Sequence, residues 1–133
     1  MAPPAMPHPH LIVLRTAATV VLSCLVGQAG WAAAFLGQDP GYRRFHEVGA
    51  WVTIAAAVVT AFVYVALRSS AGAVNVALAV LVAVGTLVQY ALAASGSVAA
   101  HIFVGVLLAM LGTALTSWTY RHRMPEDTLR VPR

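Results

Sequence analysis

The chain has 133 residues, of which 60% are hydrophobic and 9% charged. A water-soluble domain carries about 25% charged residues, so a surface wholly in water is excluded, and lipid is the solvent this composition requires. The formal charge of +4 comes from eight arginines, with no lysine, set against four acids. Basic residues flanking apolar runs are ordinary topology signals and do not indicate a nucleic-acid partner.

A membrane-crossing helix needs about 20 largely apolar residues, and four stretches of the chain supply them. The proline-rich segment 1–10, with His8 and His10, reads as a disordered tail. The first span covers 11–36, with Arg15 near its start. It holds the single cysteine, Cys24, which excludes an internal disulfide or a CxxC motif and reads as a small apolar residue. The run is too long for the roughly 7–15 apolar residues of a signal peptide core and no basic residue precedes it, so the span reads as uncleaved. A turn containing Asp39, Pro40 and Gly41 follows. The second span covers 45–67 and ends at Arg68. The link 68–72 leads to the third span, 74–94, and the link 95–97 to the fourth, 98–120, which runs into Arg121, His122 and Arg123. Residues 124–133 form a second polar tail.

Such short links force neighbouring spans to run antiparallel. The expected fold is therefore an all-α, up-down-up-down four-helix transmembrane bundle over 11–123. Arg15, Arg68, Arg121, Arg123, Arg130 and Arg133 fall on one side of the bilayer and only Arg43 and Arg44 on the other. The positive-inside rule then predicts a multi-pass protein of the bacterial plasma membrane with both termini cytoplasmic. Trp31, Phe35, Tyr42 and Trp51 at one interface, and Trp118 and Tyr120 at the other, fit aromatic belts.

Each helical hairpin carries the same pattern. Gln28 stands late in the first span, and His46 opens the second with Gly49 a turn further on. Gln89 stands late in the third, and His101 opens the fourth with Gly105 a turn further on. Both hairpins enter the membrane in the same sense, which predicts a pseudo-two-fold axis along the membrane normal. His46 and His101 then lie at equal depth on opposite sides of that axis, the arrangement that a bis-histidine haem uses. In that reading Gly49 and Gly105 leave room for the macrocycle, Gln28 and Gln89 hydrogen-bond the free imidazole N–H groups, and Arg43 and Arg44 neutralise the propionates.

The same residues also have plainer readings. Glycines serve close helix packing and glutamines bond across helices in many membrane bundles. A histidine at a membrane boundary is commonly interfacial, and Arg43 and Arg44 suit a solvated loop. His122 sits in a basic cluster suited to headgroup contact. A zinc or non-haem iron site of His46, Glu47 and His101 has suitable donors, but Glu47 lies about 100° around the helix from His46. Nothing in the chain resembles a nucleophile–base pair or a phosphate-binding loop.

The pattern Gln28 with Gly30, His46 with Gly49, Gln89, and His101 with Gly105 resembles a family of small four-span membrane proteins common in actinobacteria, from which no activity carries over. It also resembles one four-helix half of haem A synthase, whose second and fourth helices hold haem through histidines at their outer ends. That resemblance implies His46 and His101 as axial ligands. It fails at the catalytic carboxylate, because Tyr42 and Arg43 stand one turn before His46 where that enzyme carries a glutamate. The reading that results is a b-type haem protein acting in electron transfer or haem handling, which requires a quinone or a redox protein as partner. The alternatives are a cofactor-free accessory subunit of a larger membrane complex and a haem A synthase-like enzyme.

Overall fold

The computed structural model describes residues 7–37 and 39–124. It is an all-helical bundle of four long helices, α1 (Pro9–Leu36), α2 (Tyr42–Ala66), α4 (Ala73–Ala94) and α5 (Val98–Arg121), with one short helix, α3 (Arg68–Ala71), in the turn between α2 and α4. All four long helices are long and apolar enough to cross a membrane. At 1.5 Å per residue even the 22 residues of α4 span the roughly 30 Å of a hydrocarbon core. The protein is an integral membrane protein. Large side chains such as Phe62, 74% exposed, face outward, as helices solvated by lipid require.

The helix ends have local causes. His8 caps α1 by accepting from the His10 N–H, and Pro9 sits at the first helical position, where its missing N–H costs nothing. Two residues expected to lie in the tail, Pro9 and His10, are therefore helical. Met124, expected to open the second tail, is buried; the remaining tail residues, 1–6 and 125–133, lie outside the described residues. Asp39 Oδ1 accepts from the Gly41 N–H at 3.1 Å, a local turn that starts α2 at Tyr42, three residues earlier than the apolar run implies. Gly72 and Gly96 turn the chain into α4 and α5 with φ of +78° and +75°, in the left-handed region that glycine adopts without strain.

Around the bundle the helices run α1, α2, α4, α5, each packed against its two neighbours, so that α1 faces α4 and α2 faces α5 across the axis. A two-fold rotation about that axis exchanges the two hairpins. The buried positions obey it. Leu14, Ala18, Val21 and Leu25 of α1 match Asn75, Ala79, Val82 and Thr86 of α4 at one constant spacing. Thr53, Ala57, Thr60 and Tyr64 of α2 match Leu108, Gly112, Leu115 and Thr119 of α5 in the same way.

The core is unevenly closed along its length. Toward the end that carries the termini, burial continues through Tyr64, Thr119, Ser70 and Ala71 to Met124. Toward the other end, beyond the layer of Leu25, Thr53, Thr86 and Leu108, no described residue is fully buried for the remaining two to three turns of each helix. We refer to these as the terminal end and the histidine end.

Candidate functional site

His46 and His101 lie at the histidine end, one turn into α2 and α5, on helices that face each other across the axis. Each ring is held by its own hairpin. His46 Nδ1 stands 3.2 Å from the Gln28 carbonyl oxygen, and His101 Nδ1 stands 3.0 Å from the Gln89 carbonyl oxygen. A carbonyl can only accept, so both Nδ1 atoms carry the proton and donate. Each Nε2 is then the unprotonated nitrogen, the form in which imidazole ligates a metal. The two ring centres are 6.2 Å apart, with planes at 89°.

The glutamine side chains take a different place from the one expected. The Gln28 amide lies directly against Gly49, where a Cβ would collide with its Nε2. The Gln89 amide packs on Gly105 in the same manner and donates to the His101 carbonyl at 2.7 Å. The glycines therefore seat the amides in this structure, and the backbone carbonyls, not the side-chain amides, fix the imidazoles. Helix spacing brings each Gln beside its His without specifying which of its oxygens or nitrogens makes the bond. The two halves differ in one respect. Gln89 Nε2 also stands 3.4 Å from His101 Nε2, while Gln89 Oε1 is buried with no partner.

Arg43 and Arg44 are exposed on the first turn of α2. Arg43 Nε donates to Glu47 at 2.9 Å, with both side chains largely in solvent. Glu47 is thus turned toward Arg43, and among the described residues no cluster of three or more His, Cys, Asp or Glu is placed to hold a metal ion. Aromatic rings flank the first hairpin. Trp31 stacks on Tyr42 and Phe45, and the Phe35 ring centre lies 5.5 Å from that of His46.

A second polar layer, at the terminal end, has no counterpart among the sequence-based expectations. Tyr64 is fully buried and its hydroxyl donates to the Leu14 carbonyl at 2.9 Å. That uses its only proton, so in the 2.7 Å contact between the two hydroxyls Thr119 is the donor. Thr119 Oγ1 also faces Asn75 Oδ1 at 3.5 Å, and Asn75 Nδ2 donates to the Ala71 carbonyl at 2.8 Å. The available signal was the repeat itself, since Tyr64 matches Thr119 and Leu14 matches Asn75. Nearby, His10 Nδ1 lies 2.8 Å from Ser70 Oγ, and His122 Nε2 donates to the Ser70 carbonyl at 2.9 Å. His122 is therefore engaged with the turn between α2 and α4.

Comparison of the chain with protein-family models, with curated proteins and with solved structures finds no match in any of the three.

Proposed function

We propose that the protein binds one b-type haem at the histidine end, with His46 and His101 as the two axial ligands, and acts in electron transfer or haem handling at the bacterial plasma membrane. The observation that carries this reading is the histidine pair. Two imidazoles bonded to opposite faces of one metal, at metal–nitrogen distances of about 2 Å, have ring centres about 6 Å apart. The rings here are 6.2 Å apart, on opposed helices, with both Nε2 atoms unprotonated; the Gln89 amide, 3.4 Å from His101 Nε2, turns aside when that nitrogen ligates.

Further features fit such a group. Among the described residues the histidine end holds no fully buried side chain while the terminal end is closed, so a group bound between the histidines displaces no packed core. Each ligand already has its Nδ1–H on a carbonyl, the outer bond that orients ligating histidines. Arg44, and Arg43 on leaving Glu47, are the cations for the propionates.

When bound, the haem supplies a reversible one-electron couple. With two histidine ligands no coordination position is left for oxygen activation. One haem near one face does not by itself carry an electron across about 30 Å of hydrocarbon, so a quinone or a redox protein is the required partner. In this reading both termini are cytoplasmic and the haem lies near the outer face, in keeping with the arginine distribution.

The test is a reduced-minus-oxidised visible spectrum of the detergent-purified protein, expressed with haem precursor supplied, beside His46→Ala and His101→Ala. The expected result is a sharp b-type α-band that both substitutions abolish. A folded but colourless wild type refutes the proposal. If it then co-purifies with another membrane protein in fixed ratio, the accessory-subunit reading takes its place.

A further inference from the structure

At the terminal end a charged side chain lies inside a membrane helix. Arg15 stands in the second turn of α1, and its guanidinium reaches across the α1–α5 seam to the last turn of α5. One Nη donates to the Tyr120 carbonyl at 3.3 Å, and the guanidinium carbon lies 5.3 Å from the centre of the Tyr120 ring. The Tyr120 hydroxyl is 3.2 Å from Thr19 Oγ1. Arg15 thereby caps the carbonyl end of α5, where a cation is favoured. This leaves most of its five donors unused, and its Nε is buried with no partner. A buried unsatisfied donor on a cation calls for an explanation, and an ionisable residue within a span calls for a counter-charge.

The described part of the chain does not supply that counter-charge. Its two acids, Asp39 and Glu47, are both at the histidine end. One residue after Tyr120, Arg121 bonds Ser117 and lies over the Trp118 ring at 5.5 Å. From Arg121 the apolar outward face of α5 runs past Trp118, Thr113, Met110 and Val106 toward the bilayer interior. Ser117 and Thr113 sit three and seven residues before Tyr120, hence on its face of the helix. That apolar face therefore begins beside Tyr120.

We propose that the Arg15 guanidinium, at the α1–α5 seam beside Tyr120, binds the phosphate of an anionic phospholipid in the leaflet on the side of the termini, with one acyl chain lying along the outward face of α5. Guanidinium and phosphate match in charge and in the fork geometry of their hydrogen bonds. The Thr19 hydroxyl donates to the Arg15 carbonyl at 2.8 Å and Tyr120 donates to Thr19, so the guanidinium supplies the donors to phosphate, and the apolar face of α5 takes the part that a free phosphate lacks. The site is at the opposite end of the bundle from the histidine pair and does not depend on it.

Native mass spectrometry of the full chain in neutral detergent, offered equal amounts of phosphatidylglycerol and phosphatidylcholine of the same chain length, tests the proposal. The wild type is expected to retain phosphatidylglycerol over phosphatidylcholine by about tenfold or more, the scale of one charge-assisted contact. Arg15→Gln is expected to abolish the preference. Arg68→Gln, which removes an equal charge from the same end, leaves it in place. Equal loss in both variants, or retention in Arg15→Gln, refutes the site. If Arg15→Gln does not fold, Arg15→Lys keeps the charge without the fork and is expected to lose several-fold of the preference; full retention there refutes the guanidinium contact. Inorganic phosphate in large excess leaves the lipid bound; displacement by it overturns the assignment to lipid. The sequence also carries Glu126 and Asp127, outside the described residues. A wild type without preference that gains one only in the Glu126→Gln, Asp127→Asn double variant shows that the chain's own carboxylates are Arg15's partner, and overturns the proposal.

Discussion

Replacing Tyr64 by Phe, alone and together with Asn75→Leu, tests the proton assignment in the buried layer at the terminal end. Tyr64→Phe deletes the donor to the Leu14 carbonyl and the acceptor of the Thr119 hydroxyl. The Leu14 carbonyl keeps its bond within α1. Thr119 can swing its proton to Asn75 Oδ1, 3.5 Å away, after a shift of a few tenths of an ångström. One hydrogen bond is then lost net. Interhelical hydrogen bonds in membrane bundles are worth about 0.6 kcal/mol on average and about 1.7 kcal/mol at most, so the expected cost is about 1 kcal/mol. Asn75→Leu installs the residue that stands at the matching position of the first hairpin, and costs a similar amount through loss of its bond to the Ala71 carbonyl. In the double variant the Thr119 hydroxyl has neither acceptor. The double loss should exceed the sum of the single losses by about 1 kcal/mol. Reversible unfolding in mixed micelles, followed by circular dichroism, reads all three. Additivity to within about 0.3 kcal/mol would refute the retargeting of the Thr119 proton.

Gly49→Ala drives a Cβ into the Gln28 amide, whereas Gly105→Ala brings one only to 3.0 Å of Gln89 Nε2; the first should cost about 1–3 kcal/mol of unfolding free energy and the second clearly less. Gly96→Ala meets no atom within 4 Å and should cost only the left-handed backbone penalty, about 1–2 kcal/mol. Gly72→Ala also meets the His122 ring at 3.1 Å and, at φ 78° and ψ 152°, lies in a region open essentially to glycine alone, so it should lose more than Gly96→Ala and recover only part of that loss in a His122→Ala background. In haem-supplied preparations, Arg44→Gln should leave the axial α-band of the proposed haem in place while lowering haem retention during gel filtration; unchanged retention would count against its pairing with a propionate.

The four spans were legible because length and hydropathy alone decide whether a helix suits a bilayer. The opposed placement of His46 and His101 was legible because two hairpins entering a membrane in the same sense have only one simple symmetry. Atomic detail was not legible at the same site. Spacing places Gln28 beside His46, but whether its carbonyl or its amide faces the ring depends on the close approach that Gly49 permits. The terminal layer escaped notice because Tyr64, Asn75 and Thr119 are uncharged and scattered through apolar runs. Only the three-dimensional convergence of four helices turns them into a cluster. Arg15 was visible as a charge, but its place over Tyr120 depends on how α1 and α5 pack.

The unequal layer around Tyr64 also decides which halves can pair. Two copies of the first hairpin would set tyrosine against tyrosine where the axis holds one tyrosine and one threonine, with Leu14 twice and no amide. Two copies of the second would set Thr119 against itself and leave a ring-sized void. Each half is thus a misfit to its own kind and a fit to the other, although both follow the same plan. A chain severed in the turn at 68–72 should reassemble from one piece of each sort and reject pairs of like pieces. The turn then serves to deliver the two halves in equal number and in the same orientation, while the choice of mate is made by three polar side chains in the interior.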